Sequence, residues 1–211
     1  MSDWGIVLLG ALGFLTALGV DVAALAGLRR GKQLVGLLSA GLMGYALVRA
    51  APAQPKLALP AALAWLGWPL LLAATALLVY SLFLEIPFRR TYVEAGASFA
   101  LVRTGTYALT RHPGVLWLAL LLVALLLVSR SRLLLWAGPI WLGLDVLAVS
   151  IQDRFSLPRQ FPDYAEYRQQ TPMLLPTLTS VRRCWRTLRS PVSSTDAERT
   201  QKETKYHEQD H

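Results

Sequence analysis

Apolar runs of membrane-crossing length recur along this chain, and that recurrence leaves few folds open to it. The first covers residues 4–28. At about 1.5 Å per residue, a helix of that span crosses the roughly 30 Å hydrocarbon core of a bilayer. Its start carries Asp3 and no lysine or arginine, unlike the basic start of a signal peptide, so it reads as a retained helix. A second run covers 34–51, where Gly36, Ala40 and Gly44 fall four apart. That spacing puts small residues on one face, as close helix packing needs. The segment "PAQPKLALP" reads as a turn-rich loop. A third run covers 61–84, with Pro69 as a candidate kink. The apolar stretch 115–128 is short, and crosses as one arm of a hairpin or from an earlier start near Tyr107. "SRSR" at 129–132 is the hairpin turn, and 133–151 returns. The expectation is an all-α integral membrane protein of about five transmembrane helices, with a C-terminal helical hairpin and a cytoplasmic interfacial segment.

Composition agrees with this reading. Of 211 residues, 54% are hydrophobic and 16% charged, and the mean hydropathy is +0.41. The net charge of +8 falls between and after the apolar runs, the pattern of a membrane topology and not of a nucleic-acid surface. One side receives Arg29, Arg30, Lys32, Arg89, Arg90, Arg103, Arg111 and the basic tail; the other receives Arg49, Lys56, Arg130 and Arg132. This places the N-terminus outside and the C-terminus in the cytoplasm. The single cysteine, Cys184, and two tail histidines, His207 and His211, give no metal-ligand set. Three regions follow: a three-helix region over 1–87, a core over 88–176, and a basic tail over 177–211 that reads as disordered. Arg182, Arg183, Arg186 and Arg189 in that tail read as solvated or facing lipid headgroups.

Chemistry concentrates on the cytoplasmic side. Arg111 and His112 precede Pro113, which suits the first turn of a helix. An arginine and a histidine at a helix N-terminus attract a carboxylate or phosphate; as an alternative, they anchor the chain at the interface. Asp153, beside Gln152, lies just past the last run and offers a carboxylate acceptor. Asp145 sits inside that run, where an acid costs roughly 2.5–3.5 kcal/mol, and should face a polar partner or a substrate group. Asp21, near its helix end, reads as structural. Phe161, Tyr164 and Tyr167 read, by themselves, as an interfacial aromatic belt.

Together these segments resemble the isoprenylcysteine carboxyl methyltransferase and phospholipid methyltransferase superfamily. Its members carry Gly-x-Tyr-x-x-x-Arg-His-Pro before a helical hairpin, matched here by Gly105, Tyr107, Arg111, His112 and Pro113. After the hairpin they carry an acidic pair and a Phe, Tyr, Tyr, Pro, Pro series, matched by Asp153, Phe161, Tyr164, Tyr167, Pro172 and Pro176. The resemblance covers about residues 100–176 and implies S-adenosylmethionine as methyl donor. It implies Arg111, His112 and Asp153 as catalytic residues, and these with Gly105, Tyr107, Pro113, Tyr164 and Tyr167 as the cofactor site. The acceptor implied is a lipophilic small molecule or lipid entering from the bilayer, with Asp145 and Trp117 as candidate substrate contacts. Val115 and Trp117 stand where the family often has Tyr and Gly, so Trp117 is expected to narrow the pocket. Other readings remain open: a non-catalytic membrane protein that retains the fold, or a membrane reductase with a nicotinamide cofactor, for which the chain has no Gly-rich fingerprint.

Overall fold

The computed structural model describes residues 2–86 and 101–189, all helix and connection with one isolated β-bridge and no strand among them. Helix α1 (Asp3–Leu25) begins where Ser2 accepts the Gly5 N–H at 3.2 Å, with Asp3 in its first turn; both favour a helix N-terminus. It ends at Gly27, whose φ of 70° lets the chain reverse. Helix α2 (Arg29–Ala50) then packs back along α1. Helix α3 (Ala61–Val79) runs on through Pro69 into a π-helical turn, Tyr80–Leu84. The short α4 (Thr106–Leu109) leads to α5 (Pro113–Ser129), with proline in its first turn as expected. Arg130, in the left-handed region at φ 54°, reverses the chain into α6 (Arg132–Ile151).

Four helices are long and apolar enough to cross a membrane: Asp3–Leu25, Arg30–Ala50, Ala61–Leu84 and Arg132–Gln160; the apolar α5 is shorter. Leu37, Trp65 and Leu72 project outward with 70–77% of their surface exposed. Such apolar exterior belongs in lipid, so the chain is a membrane protein. The last long helix exceeds the expected 133–151. It continues through a π-helical turn (Gln152–Ser156) and α7 (Leu157–Gln160), because Gln152 and Asp153 find buried partners inside the protein and do not end the helix in water. Helix α8 (Tyr164–Gln170) follows. The stretch expected to be disordered from 177 forms helix α9 (Leu178–Arg189). Arg89, Arg90, the boundary at 87/88, and residues 190–211 with His207 and His211 lie outside the described residues.

The bundle is pinned where two connections meet. At one end the α2–α3 loop meets the α5–α6 turn: Leu57 N donates to Arg130 O at 2.7 Å and Arg132 N to Pro55 O at 3.2 Å. The packed core lies toward this end, with Ile6, Ala50, Leu133 and Leu134 among its residues. Close helix approach depends on three glycines. A Cβ on Gly10 would stand 2.4 Å from Trp141 Cε2, one on Gly13 2.8 Å from Met43 Cγ, and one on Gly67 2.8 Å from Val128 Cγ2. Trp141, 1% exposed, donates its Nε1–H to Val7 O at 3.0 Å and locks α6 to α1. The stripe expected to pack does so at one end only: a Cβ on Gly36 would meet Val20 Cγ2 of α1 at 3.9 Å, whereas nothing lies within 4 Å of one built on Gly44, and Ala40 and Gly44 line a cavity. Small side chains leave room as readily as they permit contact.

Candidate functional site

Asp153 is brought inward by the π-helical turn and is 4% exposed. Arg111, reached from the start of α5, grips it with two parallel bonds, Nε to Oδ1 at 2.7 Å and Nη2 to Oδ2 at 3.0 Å. Such bidentate pairing is the strongest carboxylate geometry a side chain offers. Arg111 Nη1 also donates to the carbonyls of Arg168 (2.9 Å) and Thr171 (2.7 Å), after α8. The backbone repeats the connection, with Arg111 N to Pro172 O at 2.9 Å and His112 N to Met173 O at 3.3 Å. These two N–H groups precede α5 and would otherwise lack partners. The Arg-His-Pro step and the post-hairpin segment are therefore one unit, the single site expected of them from the sequence. Arg111 differs from expectation in its use: most of its donors are taken up by Asp153 and two carbonyls, so it holds the site together and does not reach out of it.

The remaining expected residues surround this pair. Tyr164 Oη donates to Asp153 Oδ1, and Tyr167 Oη donates to Tyr107 O at 2.7 Å. The two rings meet edge to face at 5.9 Å. Burial pushes both phenols above their ordinary range, and for Tyr164 the carboxylate that accepts its hydrogen pushes further. Both stay protonated donors at neutral pH. Tyr107 Oη donates to Ser81 O at 3.3 Å, in the π-helical turn after α3. His112 lies with Nε2 3.4 Å from Asp153 Oδ1, yet that nitrogen and Thr110 Oγ1 are buried with no hydrogen-bond partner among the described residues. Thus Arg111, His112, Pro113, Asp153, Tyr107, Tyr164 and Tyr167 converge.

Gly105 serves a neighbouring contact. Its φ is 58°, and a Cβ there would overlap the Glu85 carboxylate. Glu85 accepts the N–H of Thr106 at 2.6 Å and its hydroxyl hydrogen as well. Burial pushes the Glu85 carboxyl upward, against the pull of those bonds. The sequence reading passed over Glu85; its signal was an acid directly after an apolar run and one motif away from Gly105.

A cavity of about 620 Å³ opens from this corner into the bundle. Arg111, His112, Pro113, Tyr107, Tyr164 and Tyr167 line one part of it, and its walls are mostly apolar, including Phe14, Met43, Leu82, Leu118 and Trp141. Asp145 lines it too, without a hydrogen bond or ion pair among the described residues. Asp21, read as structural from the sequence, lines the cavity with Lys32 and accepts from Gln152 Nε2 at 2.7 Å. Trp117 corrects its expectation: it is not among the cavity-lining residues, and its buried Nε1 has no partner among the described residues. Helix α2 packs on α1 and makes no comparable contact with α3, although Met43 of α2 and Leu78 of α3 both line the cavity.

An all-helical membrane protein with a buried arginine–carboxylate clasp at one end of an apolar cavity is the class that fold and site define. The chain belongs to the family described as protein of unknown function (DUF1295), whose model matches residues 36–171. That range contains the whole clasp. No curated protein and no solved structure matches the chain.

Proposed function

We propose that the protein is a membrane-embedded S-adenosylmethionine-dependent methyltransferase of the isoprenylcysteine carboxyl methyltransferase kind, acting on a lipophilic or lipid-like acceptor. The observation that carries this reading is the clasp at the cavity mouth: a preorganised polar corner, with a buried His112 nitrogen that lies 3.4 Å from Asp153 but makes no hydrogen bond among the described residues, opening onto an apolar chamber. Such a corner fits an amphiphilic cofactor, and such a chamber fits an acceptor drawn from lipid. When bound, S-adenosylmethionine supplies an electrophilic methyl group. His112, Tyr107, Tyr164 and Tyr167 would hold it, with Asp153 oriented by Arg111 as the site's carboxylate. The apolar walls exclude water from the reacting groups, and the chain's contribution is positioning and desolvation. Asp145 would meet a hydrogen-bond donor on the acceptor. The weak α2–α3 contact supports entry from the bilayer.

The charge distribution supports five crossings, with α5 as the fourth, an extracytoplasmic N-terminus, and the clasp at the cytoplasmic face. Among the described residues, Arg49, Lys56, Arg130 and Arg132 lie at the ends of α2, α5 and α6 away from Lys32 and Arg111, a distribution that supports this reading. The test is equilibrium binding of labelled S-adenosylmethionine to detergent-purified protein, with nicotinamide cofactors in parallel. Saturable binding that weakens in His112→Ala supports the proposal. Binding of a nicotinamide cofactor alone selects the reductase, and binding of neither selects a non-catalytic protein.

A further inference from the structure

Helix α9 has two exposed stripes and one anchored face. At about 100° per residue, Leu178, Val181, Trp185 and Leu188 share one side, and each is at least 45% exposed. Arg182 and Arg186 lie exposed along the edge of that stripe. The helix holds no acidic residue. Its opposite side, with Ser180, Arg183, Cys184 and Thr187, is turned toward the protein. Thr187 Oγ1 accepts the Gly105 N–H at 2.9 Å, and Arg183 Nη1 donates to Gln170 O at 3.0 Å.

An apolar stripe beside a cationic one is the pattern of a helix lying in a membrane interface. A protein that crosses the bilayer brings that interface to the end of its own bundle. We propose that α9 is an interfacial helix that seats on an anionic phospholipid surface, with Trp185 and the leucines in the acyl boundary and Arg182 and Arg186 on headgroup phosphates. Charge commits the occupant: exposed arginines without a single acid match a negative surface. Seating also bears on the clasp. Arg183 holds Gln170 O, and the adjacent Thr171 O accepts from Arg111, so the anchored face of α9 braces the turn that positions Arg111. The proposal rests on the membrane reading and not on the identity of the cofactor.

The test uses the full chain in vesicles. Cys184 is the single cysteine, so Cys184→Ser provides a background for a nitroxide at Leu188→Cys or, on the flank, Thr179→Cys. In phosphatidylcholine vesicles with about one-third phosphatidylglycerol, the label at 188 should meet dissolved oxygen and be shielded from a water-soluble nickel chelate, while that at 179 stays open to the chelate. Pure phosphatidylcholine, or Arg182→Gln with Arg186→Gln, should reduce the shielding, since each arginine shifts seating by about fivefold. Equal chelate access at 188 and 179 overturns the proposal. So does shielding that ignores both lipid charge and the arginine substitutions. Shielding from oxygen and chelate alike means a protein cover, and spin–spin broadening means a second copy; either overturns it.

Discussion

The clasp makes a quantitative demand on Arg111 and Asp153. Arg111 is 9% exposed and Asp153 4%, so removing one partner strands the other as a buried charge. Asp153→Ala leaves a guanidinium with only the Arg168 and Thr171 carbonyls; Arg111→Ala leaves a carboxylate with Tyr164, near His112 and Arg168. Breaking a buried pair this way costs about 3–5 kcal/mol. Removing both side chains leaves no stranded charge, so the double variant should lose about as much as either single variant, and not the sum. The coupling energy is then about 3–5 kcal/mol, at or above the upper end for residues in contact. For a chain of this size each kcal/mol moves the melting temperature by about 2–4 °C, so each single variant should melt roughly 10 °C lower. The assay is thermal unfolding of wild type, both single variants and the double variant in one detergent, with Arg111→Lys as a fifth sample. Lysine keeps the charge but cannot form the two parallel bonds, and should fall between wild type and alanine. Strictly additive single variants, or single variants that melt with wild type, would refute the clasp.

Other consequences are separable. Gly10→Ala drives a methyl into the Trp141 ring and should cost about 1–3 kcal/mol by overpacking, whereas Gly44→Leu meets open space and should keep the wild-type melting temperature while weakening ligand binding; the same melting series with a binding assay checks both. Asp145→Leu removes an acid that costs roughly 2.5–3.5 kcal/mol in a crossing helix, so it should raise the melting temperature and, if Asp145 meets the acceptor, abolish acceptor turnover; a lower melting temperature would show a hidden partner. Burial holds the folded-state pKa of Glu85 above its unfolded value, so its contribution to stability is fully present below the unfolded pKa near 4.5 and is lost as pH rises through the folded pKa. Glu85→Gln should flatten that stretch of the stability-versus-pH curve, and an unchanged curve would remove Glu85 as its source.

The apolar runs made the helices legible because lipid tolerates little else, and each expected run contains a helix that begins or ends within a few residues of it. The last one was read short because Gln152, Asp153 and Arg154 look like a helix entering water. Gln152 and Asp153 instead meet Asp21 and Arg111, far away in sequence, while Arg154 alone stays exposed. The Arg-His-Pro step was legible as important, but not as a clasp, since spacing says nothing about which donors are already taken. Gly10 and Gly44 show the same limit: two glycines in apolar runs, one against a tryptophan and one against a void. Helix α9 could have been found, since Leu178, Val181, Trp185 and Leu188 keep helical spacing in the sequence. The density of arginine around them read as an unfolded tail.

The joint between the α2–α3 loop and the α5–α6 turn has a mechanical corollary. Its two backbone bonds and the core beside it make that end a fulcrum. If α2 parts from α3, both are held near this pivot, and the gap widens with distance from it, like the blades of shears. The widest travel then falls beside the clasp, at the end that holds Asp21, Lys32, Arg111 and Asp153. A crosslink between the two helices near the fulcrum would cost little movement; the same crosslink near Lys32 and Leu82 would hold the blades shut.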